Sequence, residues 1–165
     1  LARRGTPFVG CLFAGLMLTP DGPKVIEFNA RFGDPETQVV LPLLENDLLE
    51  VILACLEGRL HQVELRFRPG AAVNVVLASA GYPGKYAKGL PIRGLVEADQ
   101  VGVTVFHAGT AFNEEGQVVT AGGRVLGVMA TGPTLRDALA LAYAGVEQIQ
   151  FEGKTYRRDI GWRAL

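Results

Sequence analysis

The stretch Val25-Ile26-Glu27-Phe28-Asn29-Ala30-Arg31-Phe32-Gly33-Asp34-Pro35-Glu36 decides how the rest of the chain is read. It follows the turn signal Asp21-Gly22 and opens as a short apolar run, which predicts a strand from Lys24 to Arg31. Alternate side chains of a strand share a face, so Glu27, Asn29 and Arg31 are expected to project together while Ile26, Phe28 and Ala30 point into a core. A carboxylate beside an amide oxygen is a pair of hard oxygen ligands of the kind Mg²⁺ takes, and a neighbouring arginine suits a phosphate or a developing oxyanion. The competing reading is an edge strand whose polar face is simply solvated. What favours a site is the next element, Gly33-Asp34-Pro35-Glu36-Thr37. Glycine permits a sharp turn, aspartate is a good N-cap, proline suits the first helical position and glutamate suits the first turn. A helix is therefore expected from Asp34 to about Leu41, where Pro42 ends or kinks it.

Working outward, Phe8 to Leu18 is apolar with Gly10 and Gly15, which suits a central strand buried on both faces. Thr19-Pro20-Asp21-Gly22-Pro23 joins it to the next strand as an antiparallel hairpin. Leu1-Ala2-Arg3-Arg4-Gly5 reads as a helix end, so the chain is expected to begin inside a domain. Downstream, Asn46 or Asp47 caps a second helix whose Leu48, Leu49, Ile52, Leu53 and Leu56 recur at helical spacing and are expected in the core, with Gly58 as C-terminal cap. Glu45, Asp47 and Glu50 read as its solvated side. Residues 58–70 lose periodicity and mark a structural boundary.

Beyond it, Ala71 to Ala80 is a valine-rich strand. Its loop, Gly81 to Gly89, carries two tyrosines to pack with, and Lys85 and Lys88 meet either an anion or water. Short strands are expected at Val101 to His107, Thr110 to Phe112 and Gln117 to Thr120. Ala121-Gly122-Gly123-Arg124 then precedes a strand to Ala130. Paired glycines before an arginine bring backbone amides and a two-pronged guanidinium to one phosphate; the alternative is a plain turn and a surface arginine. Thr134 with Asp137 forms a capping-box variant, and Leu135, Ala138, Leu139, Ala142, Val146 and Ile149 make one stripe of a helix over 135–149. The basic, aromatic tail Tyr156 to Arg163 is placed to dock back on this domain. His61 and His107 lack ligand-spaced partners and read as a surface and a structural residue.

Composition narrows the function classes. With 165 residues, of which 48% are hydrophobic, the chain fills one domain or two small ones around a real core. A formal net charge of -1 leaves no excess of positive charge for a nucleic-acid backbone, so no nucleic-acid partner is expected. Cys11 and Cys55 sit in apolar surroundings without metal-type spacing, as reduced thiols of a cytoplasmic protein do. No apolar run approaches the roughly 20 residues of a membrane helix, and no membrane partner is expected.

The run Glu27-Phe28-Asn29-Ala30-Arg31-Phe32-Gly33-Asp34-Pro35-Glu36-Thr37-Gln38 resembles the signature of the phosphoribosylamine glycine ligases, also called glycinamide ribonucleotide synthetases. Gly10-Cys11-Leu12-Phe13-Ala14-Gly15-Leu16-Met17, Phe106-His107-Ala108-Gly109-Thr110, Gly122-Gly123-Arg124-Val125-Leu126 and Arg158-Asp159-Ile160-Gly161-Trp162-Arg163 resemble the C-terminal part of that family, in which a Gly-Tyr-Pro-Gly loop also recurs. The resemblance implies an α+β chain. Residues 1–60 would end an ATP-grasp domain of antiparallel strands and helices, and 61–165 would form a small C-terminal domain with a mixed β-sheet and one long helix. It also implies an ATP-dependent carboxylate-amine ligase of purine biosynthesis, joining glycine to phosphoribosylamine through glycyl phosphate.

In that family the residues matching Glu27 and Asn29 hold the Mg²⁺ or Mn²⁺ that accompanies ATP. Arg31 would then steady charge on the transferring group, and Arg124, with Gly123 and Asp34, would meet the substrate, Arg124 at its ribose phosphate. Other ATP-grasp enzymes carry a further acidic ligand on the preceding strand, whereas Phe8 to Leu18 has no acid. The glycine-rich lid, adenine hinge and phosphate-holding lysines belong to a missing N-terminal portion, so the chain alone is expected to be catalytically silent. Two alternatives stand beside this: a piece of another purine-pathway ligase or carboxylase, against which Arg31 to Glu36 speaks, and a non-catalytic binding module, against which Glu27, Asn29 and Arg31 speak.

Overall fold

The hairpin around Asp21-Gly22 forms as the turn chemistry predicts. In the computed structural model, which describes all 165 residues, β1 (Phe13–Thr19) pairs antiparallel with β2 (Gly22–Asn29), from Phe13 opposite Asn29 to Thr19 opposite Gly22. Thr19 Oγ1 donates to the Gly22 carbonyl at 2.7 Å, and Gly22 takes φ +97°, a conformation side chains disfavour. The ladder shifts register between Gly15 and Leu16. The expected burial does not follow. Ile26 and Phe28 are 63% and 61% exposed, and β1 is likewise open, because a two-stranded ribbon has no second layer of its own to bury a face against.

The helix expected at Asp34 starts later. Thr37 donates both its amide, at 3.0 Å, and its hydroxyl to the Gly33 carbonyl, closing a turn over residues 33–37. Asp34 and Pro35 therefore lie in the turn, and α1 spans only Thr37–Val40. At Pro42 the chain tightens into a 3-10 turn, Leu41–Leu43, as a residue without an amide proton favours. Near the start, Ala2–Arg4 is a short 3-10 turn closed by Gly5 at φ +74°.

α2 (Leu48–Leu56) begins at Asp47, whose carboxylate accepts from the Leu49 amide at 2.8 Å. Gly58 at φ +70° ends it, its amide reaching the Cys55 carbonyl at 3.2 Å while Arg59 reaches Ala54 at 2.9 Å. Asn46 has a different task from capping. Its amide donates to the Glu64 carbonyl at 3.0 Å and its oxygen accepts from the Arg66 amide at 2.7 Å, tying the following segment to the helix start. The apolar stripe assigned to the core is open: Leu49 and Leu56 are 62% and 63% exposed, and the buried residue of α2 is Ala54. Eight of the nine residues of α2 are leucine, isoleucine, valine, alanine or cysteine at positions around the helix, more than one buried side can take up, and the rest stay open.

Two compact units result, Leu1–Thr37 with Leu44–Arg68, and Gln38–Leu43 with Pro69–Leu165. The second holds the core. Its elements are β3 (Ala71–Ser79), α3 (Leu95–Val101), β4 (Thr104–His107), β5 (Thr110–Phe112), β6 (Val118–Thr120), β7 (Arg124–Gly132), α4 (Leu135–Gln148) and β8 (Lys154–Thr155). Four strands form a sheet in the order β4-β7-β3-β8, and β5-β6 form a separate ribbon. Every pairing in the sheet is antiparallel, which corrects the expected mixed sheet: β7 runs back along β3, and the α4 connection returns the chain antiparallel on β3's other edge.

β3 alternates as a half-covered strand should, burying Val73, Val75, Leu77 and Ser79. Opposite them in register stand Ala130, Val128 and Leu126 of β7, and α4 lays Ala138, Ala142 and Val146 over this face. The capping box forms with both reciprocal bonds at 3.2 Å, Asp137 amide to Thr134 Oγ1 and Thr134 amide to Asp137 Oδ2. At the far end Lys154 Nζ donates to the Val146 and Ile149 carbonyls at 3.0 and 2.6 Å, and burial holds its pKa below the usual lysine value. α3 and β8 were not anticipated. The first is a short helix between two glycines at positive φ, Gly94 and Gly102, and the second pairs only two residues.

Candidate functional site

Gly15 stands opposite Glu27 in the β1-β2 ladder, next to the register shift. A Cβ on Gly15 would lie 3.2 Å from Glu27 Cγ, so the glycine leaves the carboxylate side chain its room. Irregularities of this kind re-aim side chains in a ladder. Glu27 and Asn29 come together as strand alternation requires, Asn29 Nδ2 donating to Glu27 Oε1 at 3.1 Å. Arg31 does not join them through the same alternation. β2 ends at Asn29, and the Arg31 guanidinium turns to the Phe32 carbonyl at 2.8 Å. There it lines a hollow of about 420 Å³ whose wall includes Cys11, Phe32, Val51 and Cys55. Both cysteines are free thiols.

The chemistry of this donor pair fits a magnesium or manganese ion. Glu27 offers carboxylate oxygens, and turning the Asn29 amide presents its oxygen beside them. No group of three or more His, Cys, Asp or Glu side chains suited to a metal gathers among the described residues. A metal held here would take at most this pair from the strand, and Mg²⁺ commonly fills its remaining positions with phosphate and water. Asp34 is exposed in the turn after Gly33, and the Glu36 carboxylate folds into the space a Gly33 side chain would need.

In the second unit Arg124 is the exposed first residue of β7. Its neighbours are fixed by backbone. Buried Ser79 donates its amide to the Gly123 carbonyl at 2.8 Å and its hydroxyl to the Gly122 carbonyl at 2.9 Å. Gly109 donates to the Arg124 carbonyl at 2.9 Å, and its own carbonyl accepts from Ala121 and Gly122 at 2.7 and 3.0 Å. The two segments touch closely enough that a Cβ on Gly109 would lie 2.5 Å from Gly122 Cα. The Gly122 amide is thus already engaged, not held open for a phosphate. Gly123 is buried, and the Tyr82 ring occupies the space its Cβ would take.

His107 Nδ1 lies 3.0 Å from Thr110 Oγ1, and His61 is exposed beside Gln62, so both histidines stand as expected. The residues that sequence reasoning missed are Ser79, Tyr82 and Gly109. The one available signal was the pairing of glycines in Ala108-Gly109 and Gly122-Gly123, which is what backbone-to-backbone packing needs.

The family profile described as "Phosphoribosylglycinamide synthetase, C domain" matches residues 72–163, and the one described as "Phosphoribosylglycinamide synthetase, ATP-grasp (A) domain" matches residues 1–37. A phosphoribosylamine glycine ligase from Synechocystis is 57% identical over all of this chain and 40% of its own length. The chicken trifunctional purine biosynthetic protein adenosine-3 is 54% identical, again over all of this chain but over 16% of its length. The chain therefore spans well under half of these relatives. A crystal structure of phosphoribosylamine glycine ligase from Thermotoga maritima, 42% identical, superposes with a TM-score of 0.77 over 90% of this chain and 36% of that one. The biotin carboxylase domain of Hydrogenobacter thermophilus 2-oxoglutarate carboxylase, at 16% identity and a TM-score of 0.57, shares the fold. With a profile matching more than half of its residues, the chain belongs to the phosphoribosylglycinamide synthetase family, its first 37 residues matching the ATP-grasp (A) domain and residues 72–163 the C domain.

Proposed function

We propose that this chain is the C-terminal part of a cytoplasmic ligase that joins glycine to phosphoribosylamine with hydrolysis of ATP. Residues 1–60 would finish its ATP-grasp domain and 61–165 form its C-terminal domain. The carrying observation is the contact between Glu27 and Asn29, two oxygen-bearing side chains brought together on one strand inside the stretch that matches the ATP-grasp profile. The glycine carboxylate attacks the γ-phosphate of ATP, releasing ADP and forming glycyl phosphate. The amine of phosphoribosylamine then attacks the glycyl carbonyl, phosphate leaves, and the amine gives up a proton.

Such chemistry needs charge neutralised and reactants aligned more than it needs a side-chain nucleophile. Glu27 and Asn29 hold Mg²⁺ or Mn²⁺, which supplies neutralisation of phosphate charge when bound. The Hydrogenobacter domain that shares the fold was crystallised with MgADP, in keeping with this cofactor class. Arg31 steadies the transferring phosphoryl or acyl phosphate. Arg124 takes the ribose phosphate, Asp34 contributes a polar substrate contact, and Gly123 shapes the turn that carries Arg124. No helix of the chain is long and apolar enough to cross a membrane.

The experiment joins the chain to the N-terminal portion its relatives possess and measures ADP release. Release dependent on both glycine and phosphoribosylamine is expected, with none from the 165-residue chain alone. Release that ignores glycine, or ligation by the isolated chain, overturns the proposal.

A further inference from the structure

We propose that Tyr82 is a positioning residue for the phosphate end of the substrate, acting through Gly123 on Arg124; the proposal rests on Arg124 being the ribose-phosphate ligand. The turn that carries Arg124 is Ala121-Gly122-Gly123, with no side chain larger than a methyl group. Glycines lose the most freedom on ordering, so such a turn is held only from outside. Ser79 and Gly109 supply hydrogen bonds to it, and Tyr82 supplies an aromatic ring that fills the space a Gly123 side chain would need.

The ring is itself secured. The Tyr82 amide donates to the Ser79 carbonyl at 3.1 Å, and Tyr86 meets the ring edge-on with centroids 6.2 Å apart. The loop is tied at its far end by the Gly89 amide to the Thr120 carbonyl at 2.6 Å, on the strand that leads into the same turn. The Gly81–Gly89 loop thus begins and ends on the framework that fixes Arg124. Tyr82 nonetheless remains 44% exposed while Gly123 is buried, so the ring lies between Gly123 and solvent. Ring atoms Cγ, Cδ2 and Cε2 are the ones nearest Gly123, so the hydroxyl is dispensable for this contact.

The test uses the full-length enzyme and calorimetric titration of glycinamide ribonucleotide and of ADP. Tyr82→Ala is expected to weaken glycinamide ribonucleotide binding on the order of tenfold to a hundredfold, the range that small misplacements of a binding group produce, and to leave ADP binding unchanged. Tyr82→Phe binds as wild type. Gly123→Ala gives the same selective loss, and in the Tyr82→Ala background it adds nothing, because the ring it collides with is gone. If Tyr82→Ala does not fold, Tyr82→Leu, which keeps bulk without a flat ring, is held to the same criteria. Arg124→Ala separates the two claims. Loss of glycinamide ribonucleotide binding in Arg124→Ala with none in the Tyr82 variant overturns the positioning role and leaves the Arg124 assignment standing. Normal binding by Arg124→Ala overturns both. A Tyr82 variant that weakens both ligands equally shows a merely structural role and also overturns the proposal.

Discussion

The Asn29 amide donates to Glu27 Oε1 at 3.1 Å, whereas Arg31, two residues further along the same chain, turns its guanidinium to the Phe32 carbonyl. One strand therefore brings Glu27 and Asn29 together, and the arginine beyond its end belongs to the wall of a separate hollow. If the pair holds the metal as proposed, the Asn29 amide turns to present its oxygen, and Arg31 leaves the Phe32 carbonyl to reach a transferring group.

Glu27→Gln in the full-length enzyme is expected to lower ligation on the order of a hundredfold or more, the usual cost of removing a preorganised electrostatic partner. Asn29→Asp keeps an oxygen ligand and should retain far more activity, with a shifted metal requirement. A magnesium titration of ADP release separates the two variants. Identical curves for Glu27→Gln and wild type would remove Glu27 from the metal.

Leu77 and Leu126 face each other across β3 and β7 and are fully buried beneath α4. Leu77→Ala or Leu126→Ala should cost about 2–5 kcal/mol, transfer and cavity terms together. Leu49→Ala on α2 deletes an exposed side chain and should cost far less in this chain. Denaturant unfolding monitored by circular dichroism measures all three. Equal losses would mean that the apolar stripe of α2 is covered after all.

Legibility followed the range of the interaction. The hairpin, the Asp47 cap, the Thr134 capping box and the α4 stripe are local, and the residues that make them lie within a few positions of one another. Burial was not local. Ile26, Phe28 and the leucines of α2 have the periodicity of core residues, yet a core also needs a facing layer, which periodicity does not describe. The site divides the same way. The contact between Glu27 and Asn29 was legible because alternate residues on one strand share a face. Tyr82 over Gly123 and Gly109 against Gly122 join segments far apart in sequence, and a glycine alone does not say what approaches it. The helix start at Thr37 was misplaced because Asp34-Pro35 carries strong cap chemistry, while the Thr37 bonds to Gly33 outweigh it.

Thr134 and Asp137 each accept a bond from the other's backbone at the start of α4. Thr134→Ala should cost about 1 kcal/mol, as loss of an N-cap hydroxyl does. Asp137→Ala leaves the Thr134 amide without its partner. Because the two bonds form one reciprocal unit, the double variant should lose less than the sum of the singles. A double-mutant cycle by denaturant unfolding checks this, and strict additivity would mean that the two bonds act independently.

The Tyr156 hydroxyl donates to Glu147 Oε1 at 2.7 Å, linking the tail to α4. That bond exists only for the protonated phenol, and ionisation would set two anions side by side. Tyr156 is therefore held above its usual value of 10.0, first by the Glu147 hydrogen bond, then by burial and by the Glu147 charge, with the Arg158 cation opposing. Lys154 and Arg158 both approach the ring at 5.5 Å. A group whose folded pKa is raised contributes stability that is whole below its unfolded value and is lost as pH rises through the folded one. The stability difference between wild type and Tyr156→Phe should accordingly stay constant up to about pH 10 and shrink above it. Glu147→Gln removes the charge and should move the phenol back toward its ordinary value. Phenolate absorbance titrations of wild type, Tyr156→Phe and Glu147→Gln isolate this one among the four tyrosines. A Tyr156 that titrates identically with and without the Glu147 carboxylate would show that the bond does not persist in solution.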